Sequence, residues 1–420
     1  MFDSLRKRRG GNAAGQTTQA RSAGLARFGS QIGMLVVALI AGQTFAQPQE
    51  KTQVRFVNVA DSTQGFSEFS QFPAINNRGV VAFIAIQHGT GQEIFRWNRS
   101  GVVPIALADG STIAQFSDDV AINDAGVIAF RAALSGIGRP AAIFTSDGIS
   151  TRTIVNSTIQ GLPGFGIGPP SINSSGTVAF QAARSGFRSS AVFTGEGSTL
   201  TPVVDTLTSD FEAFGGVAIN ASGEIVFEAV QKDRSTGIFL AIPNQDKEQS
   251  STASSGPVTI LDVVDSNNPD FFDFGDPVIN RGGIVADFAD TAQGVEVFSG
   301  DGSGIKARTD PAANFFAEFE HPSINEHAAV AFSAFETNGA QAIFAELSGG
   351  SSPVPVLQTG DPLFGSTVTA VSVGRFAFND HYRLAFEYEL EDGRSGIAIA
   401  VLKLNEQGED EQSQQDGRVD

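Results

Sequence analysis

The chain lacks several residues on which exported and catalytic proteins commonly depend. It contains no cysteine, one tryptophan and two tyrosines among 420 residues. The absence of cysteine excludes a disulfide framework, a thiolate metal site and a cysteine nucleophile, so packing alone must hold the fold. The scarcity of tryptophan and tyrosine counts against a carbohydrate-binding groove, because such grooves usually present these rings to the sugar.

Positive charge is also scarce. The sequence has 27 Lys and Arg residues against 46 Asp and Glu residues. Residues 1–46 hold six of the basic residues and one of the acidic residues, so the chain after residue 46 has 21 basic and 45 acidic residues, a net charge of −24. Nucleic acids and anionic membrane surfaces attract positive charge, so neither is an expected partner.

Long apolar runs are absent apart from one near the N-terminus. A basic leader precedes the apolar run over residues 32–41, and Thr44, Phe45 and Ala46 follow it. A run of about ten residues is half of what a bilayer-spanning helix needs. We therefore predict a cleavable signal peptide over residues 1–46 and a secreted or periplasmic protein; the alternative is a signal peptide retained as an anchor. No membrane span is predicted in the mature chain. The polar, acidic composition of residues 404–420 predicts a disordered tail.

One element, Asn-x-x-Gly-x-x-Ala-Phe, recurs along the chain. The spacings between successive copies are 47, 50, 47, 60, 45 and 54 residues. A regular period of about fifty residues is typical of propellers and solenoids. The full motif begins at Asn76, Asn123 and Asn173, a near copy at Asn220, and weaker copies at Asn280, Asn325 and Asn379.

Each repeat contains four short runs rich in β-branched and aromatic residues, separated by Gly, Asn and Ser. Such runs predict strands, and four strands per repeat predict a propeller blade. We therefore predict an all-β fold, a seven-bladed β-propeller of four-stranded blades over residues 47–403. The seventh repeat lacks a fourth strand, and residues 54–59 form a strand-like run before the first repeat. This N-terminal strand is predicted to complete the last blade and close the ring.

The Asn and the Gly of the motif stand three positions apart, as they do at the first and fourth positions of a type I turn. In the last two copies Ala328 and Tyr382 replace the Gly, so those turns are predicted to be strained or of another type. The turns are predicted between the first two strands of each blade, at Asn76 and Gly79, Asn123 and Gly126, Asn173 and Gly176, Asn220 and Gly223, Asn280 and Gly283, Asn325, and Asn379.

The strand after each turn is apolar on both faces and carries a small Ala before a large Phe, as in Ala82 and Phe83. This pattern predicts a strand buried between stacked blades, with the Phe of one blade covering the small side chain of its neighbour. The fifth copy has Asp287 in the Phe position and Phe288 one residue later, which predicts a bulge or a local shift of register there.

The tandem motif resembles a family of exported bacterial repeat proteins named for it, whose members carry C-terminal anchoring or sorting tails. The resemblance covers roughly residues 51–403. It implies export and a repeat fold of the propeller kind, and no established activity. The present sequence has no hydrophobic C-terminal anchor, which favours release over surface attachment.

An acidic residue follows the fourth strand in six of the repeats. A ring of carboxylates near one mouth of the channel could bind Ca²⁺ through oxygen ligands. The competing interpretation, which we favour, is that each Asp starts a turn. The candidate metal ligands are Asp61, Asp109, Asp205, Asp265, Asp310 and Asp361.

Three histidines provide a second candidate metal site. His321, His327 and His381 come from the last two repeats, and three His side chains could hold a transition metal. The turn positions of His327 and His381 predict exposure and wide separation, which counts against that site. No catalytic residue is predicted, because the chain has no nucleophile or phosphate-binding motif in a suitable context.

The sequence does not identify a ligand. Our leading interpretation is a secreted, non-catalytic, monomeric propeller that binds or scaffolds a protein or an extracellular polymer. The alternative is a propeller hydrolase or lyase with a site at one channel mouth, with Ca²⁺ as the one cofactor considered. Propellers host both kinds of function. Carboxylates with His inside the channel would favour the enzyme, and a continuous apolar rim would favour binding.

Overall fold

The computed structural model describes residues 53–87, 89–138, 140–158, 162, 164–165, 170–184, 189–197, 199–244, 258–310, 316–347 and 352–403. The predicted signal peptide over residues 1–46 and the predicted tail over residues 404–420 lie outside these residues. Within them the structure is almost entirely β, with one short 3-10 helix, Ser62–Gln64. None of the described segments forms a helix that is long and apolar enough to cross a membrane.

Seven antiparallel sheets follow one another around a ring, which confirms the predicted seven-bladed propeller. The chain runs from the inner strand of each blade to its outer strand and then passes to the next blade. Blade 1 contains Phe66–Phe69, Ala74–Ile75, Val81–Gln87, Gln92–Asn98 and Gly101–Leu107. Blade 2 contains Ile113–Ile122, Ile128–Leu134, Ala141–Ser146 and Thr151–Asn156. Blade 3 contains Gly164–Phe165, Ser171–Ile172, Val178–Ala183, Ser190–Glu196 and Thr199–Asp205.

The remaining blades follow the same order. Blade 4 contains Phe211–Ile219, Ile225–Gln231, Thr236–Pro243 and Val258–Asp265. Blade 5 contains Phe271–Phe274, Val278–Ile279, Val285–Thr291, Gly294–Gly300 and Ile305–Ala307. Blade 6 contains Phe316–Phe319, Ser323–Ile324, Val330–Glu336, Gln341–Glu346 and Val354–Gln358. Blade 7 contains Pro362–Leu363, Ser366–Ser372, Arg383–Leu390, Ser395–Lys403 and, from the other end of the chain, Gln53–Asp61.

The N-terminal strand closes the ring. Gln53–Asp61 pairs antiparallel with Ser395–Lys403, from Gln53 opposite Lys403 to Asp61 opposite Gly396. The Tyr388 hydroxyl, on the neighbouring strand, donates to Asn58 Oδ1 at 3.2 Å. The last blade therefore has its outer strand supplied by the first residues of the propeller, and the edge of Ser395–Lys403 is covered, as predicted.

Blades pack through the Ala and Phe of their second strands. Ala82 of blade 1 and Phe130 of blade 2 belong to one buried cluster, and Phe130 also stacks on Phe144 of its own blade at 5.5 Å between centroids. The same arrangement recurs between blades 3 and 4, where Ala179 packs with Phe227. The predicted packing of each Phe over a neighbouring small residue is thus present.

The expectation of a bulge at Asp287 is wrong. Asp287 pairs with Phe298 without a register shift, so it occupies the position that Phe fills in other blades. Its carboxylate is fully buried and accepts backbone N–H bonds from Phe288 at 2.8 Å and Gly275 at 3.2 Å. These bonds replace hydration of the buried group, so the strand keeps its register.

The inner strand of a blade is interrupted near its middle. In blades 1, 3, 5 and 6 it consists of two short pieces. In blades 2 and 4 it is continuous, but its pairing shifts between Phe116 and Val120 and between Phe214 and Val217. The interruptions bend the backbone at the edge of each sheet that faces the centre of the ring. They position the side chains of the central channel.

Candidate functional site

The seven Asn residues all open turns of one geometry. In blade 1 the Asn76 carbonyl accepts from Gly79 N at 2.9 Å, and Asn76 Oδ1 accepts from the amides of Arg78 and Val80. Gly79 has a φ of 74°, in the left-handed region that favours glycine. The corresponding turns span Asn123–Gly126, Asn173–Gly176, Asn220–Gly223, Asn280–Gly283, Asn325–Ala328 and Asn379–Tyr382.

The last two turns keep this geometry without glycine. Ala328 has a φ of 56° and Tyr382 a φ of 52°. Both residues donate the same backbone bond as glycine does, at 3.0 Å to Asn325 and at 3.1 Å to Asn379. Left-handed backbone costs a non-glycine residue about 1–2 kcal/mol. Of the two outcomes that the sequence left open for these turns, the structure has the strained one.

The side chains of six of the seven Asn residues also donate a hydrogen bond to the next blade. Asn379 Nδ2 donates to the Asn76 carbonyl at 2.8 Å, and Asn76 Nδ2 donates to the Asn123 carbonyl at 2.9 Å. The first of these two bonds joins the last blade to the first. The same link connects Asn123 to Asn173, Asn220 to Asn280, Asn280 to Asn325, and Asn325 to Asn379. We call the surface that carries these turns the turn face.

An apolar funnel opens at the centre of the turn face. The residue before each Asn lines its wall, and the funnel has a volume of about 180 Å³. Arg375 and Phe376 also line the funnel, and the residue after each Asn forms a mostly polar rim. The wall consists of Ile75, Ile122, Ile172, Ile219, Ile279, Ile324 and Phe378. The rim consists of Asn77, Asp124, Ser174, Ala221, Arg281, Glu326 and Asp380.

A segment of blade 7 fills the channel below the funnel. Phe376 packs against four buried clusters, which belong to blades 1 and 2, 2 and 3, 4 and 5, and 5 and 6. Its carbonyl accepts from Ile75 N of blade 1 at 2.9 Å. Arg375 Nη2 donates to the Val217 carbonyl of blade 4 at 3.0 Å and to the Pro277 carbonyl of blade 5. We call Gly374, Arg375 and Phe376 the plug.

A second repeat position lines the axis next to Phe376, and its member in blade 7, Arg375, also lines the funnel. This position lies four residues before each Asn, and its residue type varies among the described copies. In the third repeat this position is residue 169, outside the described residues. The other six are Phe72, Asp119, Gly216, Asp276, His321 and Arg375. We call these six residues the axial set.

The axial residues contact one another around the ring. Phe72 forms a parallel bridge with Asp119, and its ring lies 5.3 Å from that of His321 in a T-shaped arrangement. His321 Nδ1 lies 3.7 Å from Asp276 Oδ2. Gly216 is required by close approach, since a Cβ there would come within 2.4 Å of Asp276 Oδ1. The set therefore brings two carboxylates, an imidazole and a guanidinium into one channel.

Burial changes the acidity of these carboxyl groups. Burial raises the pKa of Asp119 to about 7, against the opposing charges of Arg375 and Arg131. Burial also raises the pKa of Asp287 well above its usual range, and Asp276 adds to that rise. In blade 7, burial and the nearby charges of Glu389 and Glu320 raise the pKa of Glu387 to about 8. A carboxyl with a pKa near neutrality can exchange a proton at physiological pH, a property found at catalytic sites and in structural networks alike.

The six predicted Asp ligands lie elsewhere. Each ends or closely follows the outermost strand of a blade, on the face opposite the turns. Asp61 accepts from Thr63 N and from Asn58 Nδ2, and Asp109 accepts from Ser111 N at 2.8 Å. Asp205 accepts from Leu207 N and pairs with Arg184 at 3.0 Å. The remaining three are Asp265, which accepts from Asn267 N, Asp361, which accepts from Gln358 N, and Asp310, which follows Ile305–Ala307.

The histidines do not come together. His321 lies in the channel, whereas His327 stands exposed on the turn face and stacks on Tyr382 at 5.3 Å. His381 is exposed in the turn of blade 7. Across the part of the chain that the structure describes, no group of three or more Asp, Glu or His side chains is arranged to hold a metal ion. Calcium binding at the Asp positions stays a prediction.

Comparison with known families places the sequence in one group. Residues 75–348 match the family of unknown function DUF7453. The chain belongs to this family. The match begins in the first Asn turn and ends in the sixth blade, so the DUF7453 region covers most of the repeats described above. No curated protein of known function matches the sequence.

One solved structure shares the fold at low sequence identity, and two others align less closely. A prolyl endopeptidase aligns with a TM-score of 0.52 at 13% identity, over 80% of this chain and 47% of its own. Prolyl oligopeptidase B from Galerina marginata gives 0.49 at 13% identity, over 82% and 52%, and TolB from Acinetobacter baumannii gives 0.38 at 13% identity, over 65% and 61%. The DUF7453 chain thus spans about half the length of the two peptidases. At such identities the likeness concerns the fold alone.

The axial set and the plug are not predicted when all motif copies are treated as equivalent. Their residue types differ from copy to copy. One signal for the plug is present in the sequence. The residue three before each Asn is Pro or Val in six copies, for example Pro73 and Val217, and Phe376 in the seventh. A large ring at a position otherwise held by small or rigid residues predicts a local role in filling space.

Proposed function

We propose that this DUF7453 protein is a secreted, non-catalytic propeller that binds a protein or an extracellular polymer through its turn face. We further propose that DUF7453 corresponds to the exported bacterial repeat family that the motif resembles, and that residues 1–46 direct export. The acidic surface of the mature chain is consistent with a soluble protein outside the cell.

The observation that carries the proposal is the plug. Phe376 fills the axis between blades that lie opposite one another, and Arg375 is tied to the carbonyls of blades 4 and 5. A ligand that approaches from the turn face therefore meets a shallow funnel with a floor. Its volume of about 180 Å³ is below the roughly 300–1,000 Å³ of ordinary small-molecule pockets. A site of this shape suits a protruding group of a larger partner.

The rim supports a macromolecular partner as well. A continuous apolar rim was predicted to mark a binding protein, and the funnel wall is an apolar ring contributed by all seven blades. Around it the rim residues Ser174 and Ala221 are exposed, and Asp124 and Asp380 are half-buried. An apolar centre with a polar surround is the usual anatomy of a protein interface.

Site-specific photo-crosslinking in the producing cells tests the proposal. A benzoylphenylalanine at Ser174 or Ala221, both exposed on the turn face, is expected to form an adduct on irradiation. The matched control carries the same group at Thr208, which is exposed on the opposite face between blades 3 and 4. Adducts at Thr208 alone, or at none of the three positions, would rule out a turn-face binding function.

A second candidate function is a hydrolase or lyase on the other side of the plug. The observation in its favour is the axial set, which places Asp119, with a pKa of about 7, in one channel with the His321–Asp276 pair. A general base works best with a pKa near the operating pH, and an imidazole next to a carboxylate can move a proton. Arg375 could stabilise developing negative charge there.

The enzyme candidate has its own test. Purified protein is incubated with envelope polysaccharides and with peptides, in Ca²⁺ and in EDTA, and released products are measured by mass spectrometry. Turnover that disappears in both Asp119→Asn and His321→Gln, and persists in Asp109→Asn, would establish the enzyme. A dependence on Ca²⁺ that Asp109→Asn weakens would point to the predicted Asp ligands instead. Absence of product with all substrates in both conditions would favour the binding function.

A further inference from the structure

The ring of Asn links on the turn face is interrupted between blades 3 and 4. At the other six junctions the Asn side-chain amide of one blade donates to the Asn carbonyl of the next. The Asn173 side chain of blade 3 uses its oxygen, which accepts from Ser175 N at 3.1 Å and from Thr177 N at 3.0 Å. Within the described part of the chain, Asn173 Nδ2 donates no hydrogen bond.

The group that Asn173 Nδ2 would meet in a regular ring is the Asn220 carbonyl of blade 4. This carbonyl accepts from Gly223 N at 3.1 Å and, among the described residues, from no other donor. The Asn173 carbonyl shows the contrast, because it accepts both from Gly176 N and from Asn123 Nδ2, each at 3.1 Å. A carbonyl oxygen has two lone pairs, so the Asn220 carbonyl keeps one for a further donor.

The polar rim is open at the same junction. At four junctions a backbone N–H of one blade donates to the rim side chain of the next: Asn77 to Asp124, Arg281 to Glu326, Glu326 to Asp380, and Asp380 to Asn77. In blade 4 the rim residue is Ala221, whose methyl group accepts no bond from Ser174 N. Of the seven junctions between the described Asn turns, this one alone lacks both kinds of link.

The unpaired groups can be reached from solvent. Asn173 and Asn220 lie in the lining of the funnel, and the rim residues Ser174 and Ala221 beside them are exposed. Asn173 is 7% exposed, the highest value among the seven Asn residues. Its Nδ2 is not among the buried side-chain atoms that lack a hydrogen-bond partner, so it retains contact with water.

Deeper in the blades, the same junction is well joined. Ile219 N donates to Ser171 Oγ at 3.0 Å across it. Ala179 of blade 3 and Phe227 of blade 4 belong to one buried cluster. The interruption is therefore confined to the turn face, and a ligand there does not have to separate the blades.

A ligand at this junction needs an acceptor for Asn173 Nδ2 and a donor for the Asn220 carbonyl. An amide group has both, in its carbonyl oxygen and its N–H. An ionised carboxylate has no donor, and an ammonium group has no acceptor, so each would leave one protein group unpaired. Both Asn residues lie between the wall and the rim, so the ligand does not have to reach Arg375.

We propose that the turn face binds an amide group of the partner protein at the junction between blades 3 and 4. The ligand carbonyl accepts from Asn173 Nδ2, and the ligand N–H donates to the Asn220 carbonyl. The amide belongs either to the main chain or to an Asn or Gln side chain. This inference rests on the proposed binding function and names the chemical group that the turn face recognises.

A sugar hydroxyl also combines a donor and an acceptor, so a polysaccharide is the competing occupant. Sugars usually stack on tryptophan or tyrosine rings. Trp97 belongs to blade 1, and Tyr382 and Tyr388 belong to blade 7, away from this junction. The surroundings of the junction therefore favour the amide, and binding of a sugar alone is one outcome of the test.

The test is an NMR titration of the intact protein, followed through the side-chain amide resonances of its Asn residues. The probes are acetamide, which represents an Asn or Gln side chain, N-methylacetamide, which represents a peptide group, and methyl glucoside, which carries hydroxyls. An amide probe is expected to shift the Asn173 resonance at a concentration about tenfold lower than it shifts the six linked Asn side chains. The more effective amide identifies the source. An equal response of all seven, no response of Asn173, or a response to methyl glucoside alone would overturn the proposal.

Ala221→Asp should close the junction. The new carboxylate can accept from Ser174 N, as Asp124 accepts from Asn77 N, and it repels the ligand carbonyl. We expect the amide response of Asn173 to weaken about tenfold. Ala125→Asp is the matched control, because it adds the same charge at an exposed turn position of blade 2, where both links to blade 1 are present. Amide binding that is unchanged in Ala221→Asp would contradict the proposal.

Asn173→Asp separates binding from stability. It keeps the oxygen that the turn uses and replaces the nitrogen that the ligand uses, so the response of the Ser174 backbone amide to the probes should disappear while the melting temperature stays unchanged. Asn123→Asp, by contrast, removes the bond to the Asn173 carbonyl and should lower the melting temperature. If Asn173→Asp destabilises as much as Asn123→Asp does, Asn173 links the blades and the proposal is wrong.

Crosslinking distinguishes failure of this inference from failure of the binding function. Adducts from benzoylphenylalanine at Ala221 are collected with and without Asn173→Asp. Undiminished adducts in the variant would mean that the partner binds the turn face without this amide contact, so the inference is wrong while the function stands. Loss of the adducts together with the amide response supports both. An amide response without adducts at Ser174 or Ala221 supports the amide site and contradicts the binding function.

Discussion

The two halves of the channel, on either side of Phe376, are built from the same repeat in different ways. On the turn face the wall position is isoleucine in six blades and Phe378 in the seventh, and the next position is always Asn. On the other side the axial position changes from blade to blade, with Asp119, His321 and Arg375 among its members. The regular half repeats one contact at six of the seven junctions between blades. The irregular half assembles a single cluster from unlike residues.

The difference shows which positions of a repeat fold hold the same residue type in every blade and which positions vary between blades. A position that must make the same contact in each blade repeats its residue type, as Asn76 and Asn379 do in linking turns. A position that contributes to one shared site on the axis has no reason to repeat. The plug belongs to this second kind, and it separates the two halves.

The largest expected effect on stability comes from removing the Phe376 ring, which separates the two halves of the channel. Phe376→Ala takes away the ring that packs against four inter-blade clusters, and a cavity of this kind costs about 3 kcal/mol of unfolding free energy. Chemical denaturation monitored by circular dichroism measures the loss. The matched control is Phe272→Ala, whose side chain is 55% exposed and should be nearly neutral. Equal effects of the two variants would mean that Phe376 does not join the blades.

The next prediction concerns the regular half. Asn379→Asp keeps the oxygen that accepts from the turn amides and replaces the amide nitrogen that donates to the Asn76 carbonyl. A buried carboxylate then faces a carbonyl oxygen, which should cost about 2–3 kcal/mol. Asp109→Asn, at an exposed turn on the opposite face, should leave the denaturation midpoint unchanged. If Asn379→Asp leaves the unfolding free energy unchanged, the bond from Asn379 to the Asn76 carbonyl does not stabilise the contact between blades.

The irregular half of the channel should make the unfolding free energy depend on pH. Asp119 has a folded-state pKa of about 7 against a usual value of 3.8, so it binds a proton on folding at intermediate pH. Its contribution to unfolding free energy is therefore present below about pH 4 and declines as the pH rises through about 7. Each pKa unit corresponds to at most about 1.4 kcal/mol. Melting temperatures from pH 5 to pH 8 measure the decline.

Asp119→Asn isolates this group from Asp276, Asp287, His321 and the arginines around it, because the amide stays neutral throughout. The variant should melt with a flatter pH dependence than the unmodified protein. An identical pH profile would show that Asp119 is ionised in the folded protein at neutral pH, against the acidity described here.

The smallest effect is expected at the strained turns. Ala328→Gly relieves a φ of 56° and should raise the unfolding free energy by about 0.5–1 kcal/mol. Gly126→Ala is the reverse change in the turn of blade 2, where φ is 82° and the nearest atom to a new Cβ is 3.7 Å away. It should destabilise by a similar amount through the backbone alone. Changes of opposite sign in the unfolding free energies of the two variants would confirm that the left-handed backbone is the cause, and changes of the same sign would contradict it.

The fold was accessible from the sequence because its determinants repeat. The Asn76–Gly79 spacing, the Ala82–Phe83 pair and the unpaired run that became Gln53–Asp61 each follow from local propensity and burial. The bulge expected at Asp287 failed because two backbone N–H bonds satisfy the carboxylate without a change of register. That compensation depends on Gly275, which lies twelve residues away in the chain.

Only part of the candidate site could be predicted from the sequence. Repeated Asp residues attracted attention, although four of the six accept a backbone N–H bond from their own turn at the outer edge, as Asp109 does from Ser111. Asp119 and His321 share an axial position, but their neighbours in sequence do not resemble each other. Both contact Phe72 only because the ring closes, and the pKa of Asp119 depends on the charge of Arg375 from a blade five repeats later. Such couplings arise from tertiary structure and leave no local pattern.

The measurement that tests the account most directly is hydrogen–deuterium exchange of the plug segment, residues 373–378. The amides of Ala377 and Phe378 donate to Ser323 Oγ at 3.1 and 3.0 Å, and that of Val373 donates to Ser333 Oγ at 3.2 Å. We expect this segment to exchange as slowly as the central strands of the blades, because a closed axis confines it. Exchange within seconds would show an axis that opens, which would contradict the account and direct attention to chemistry inside the channel.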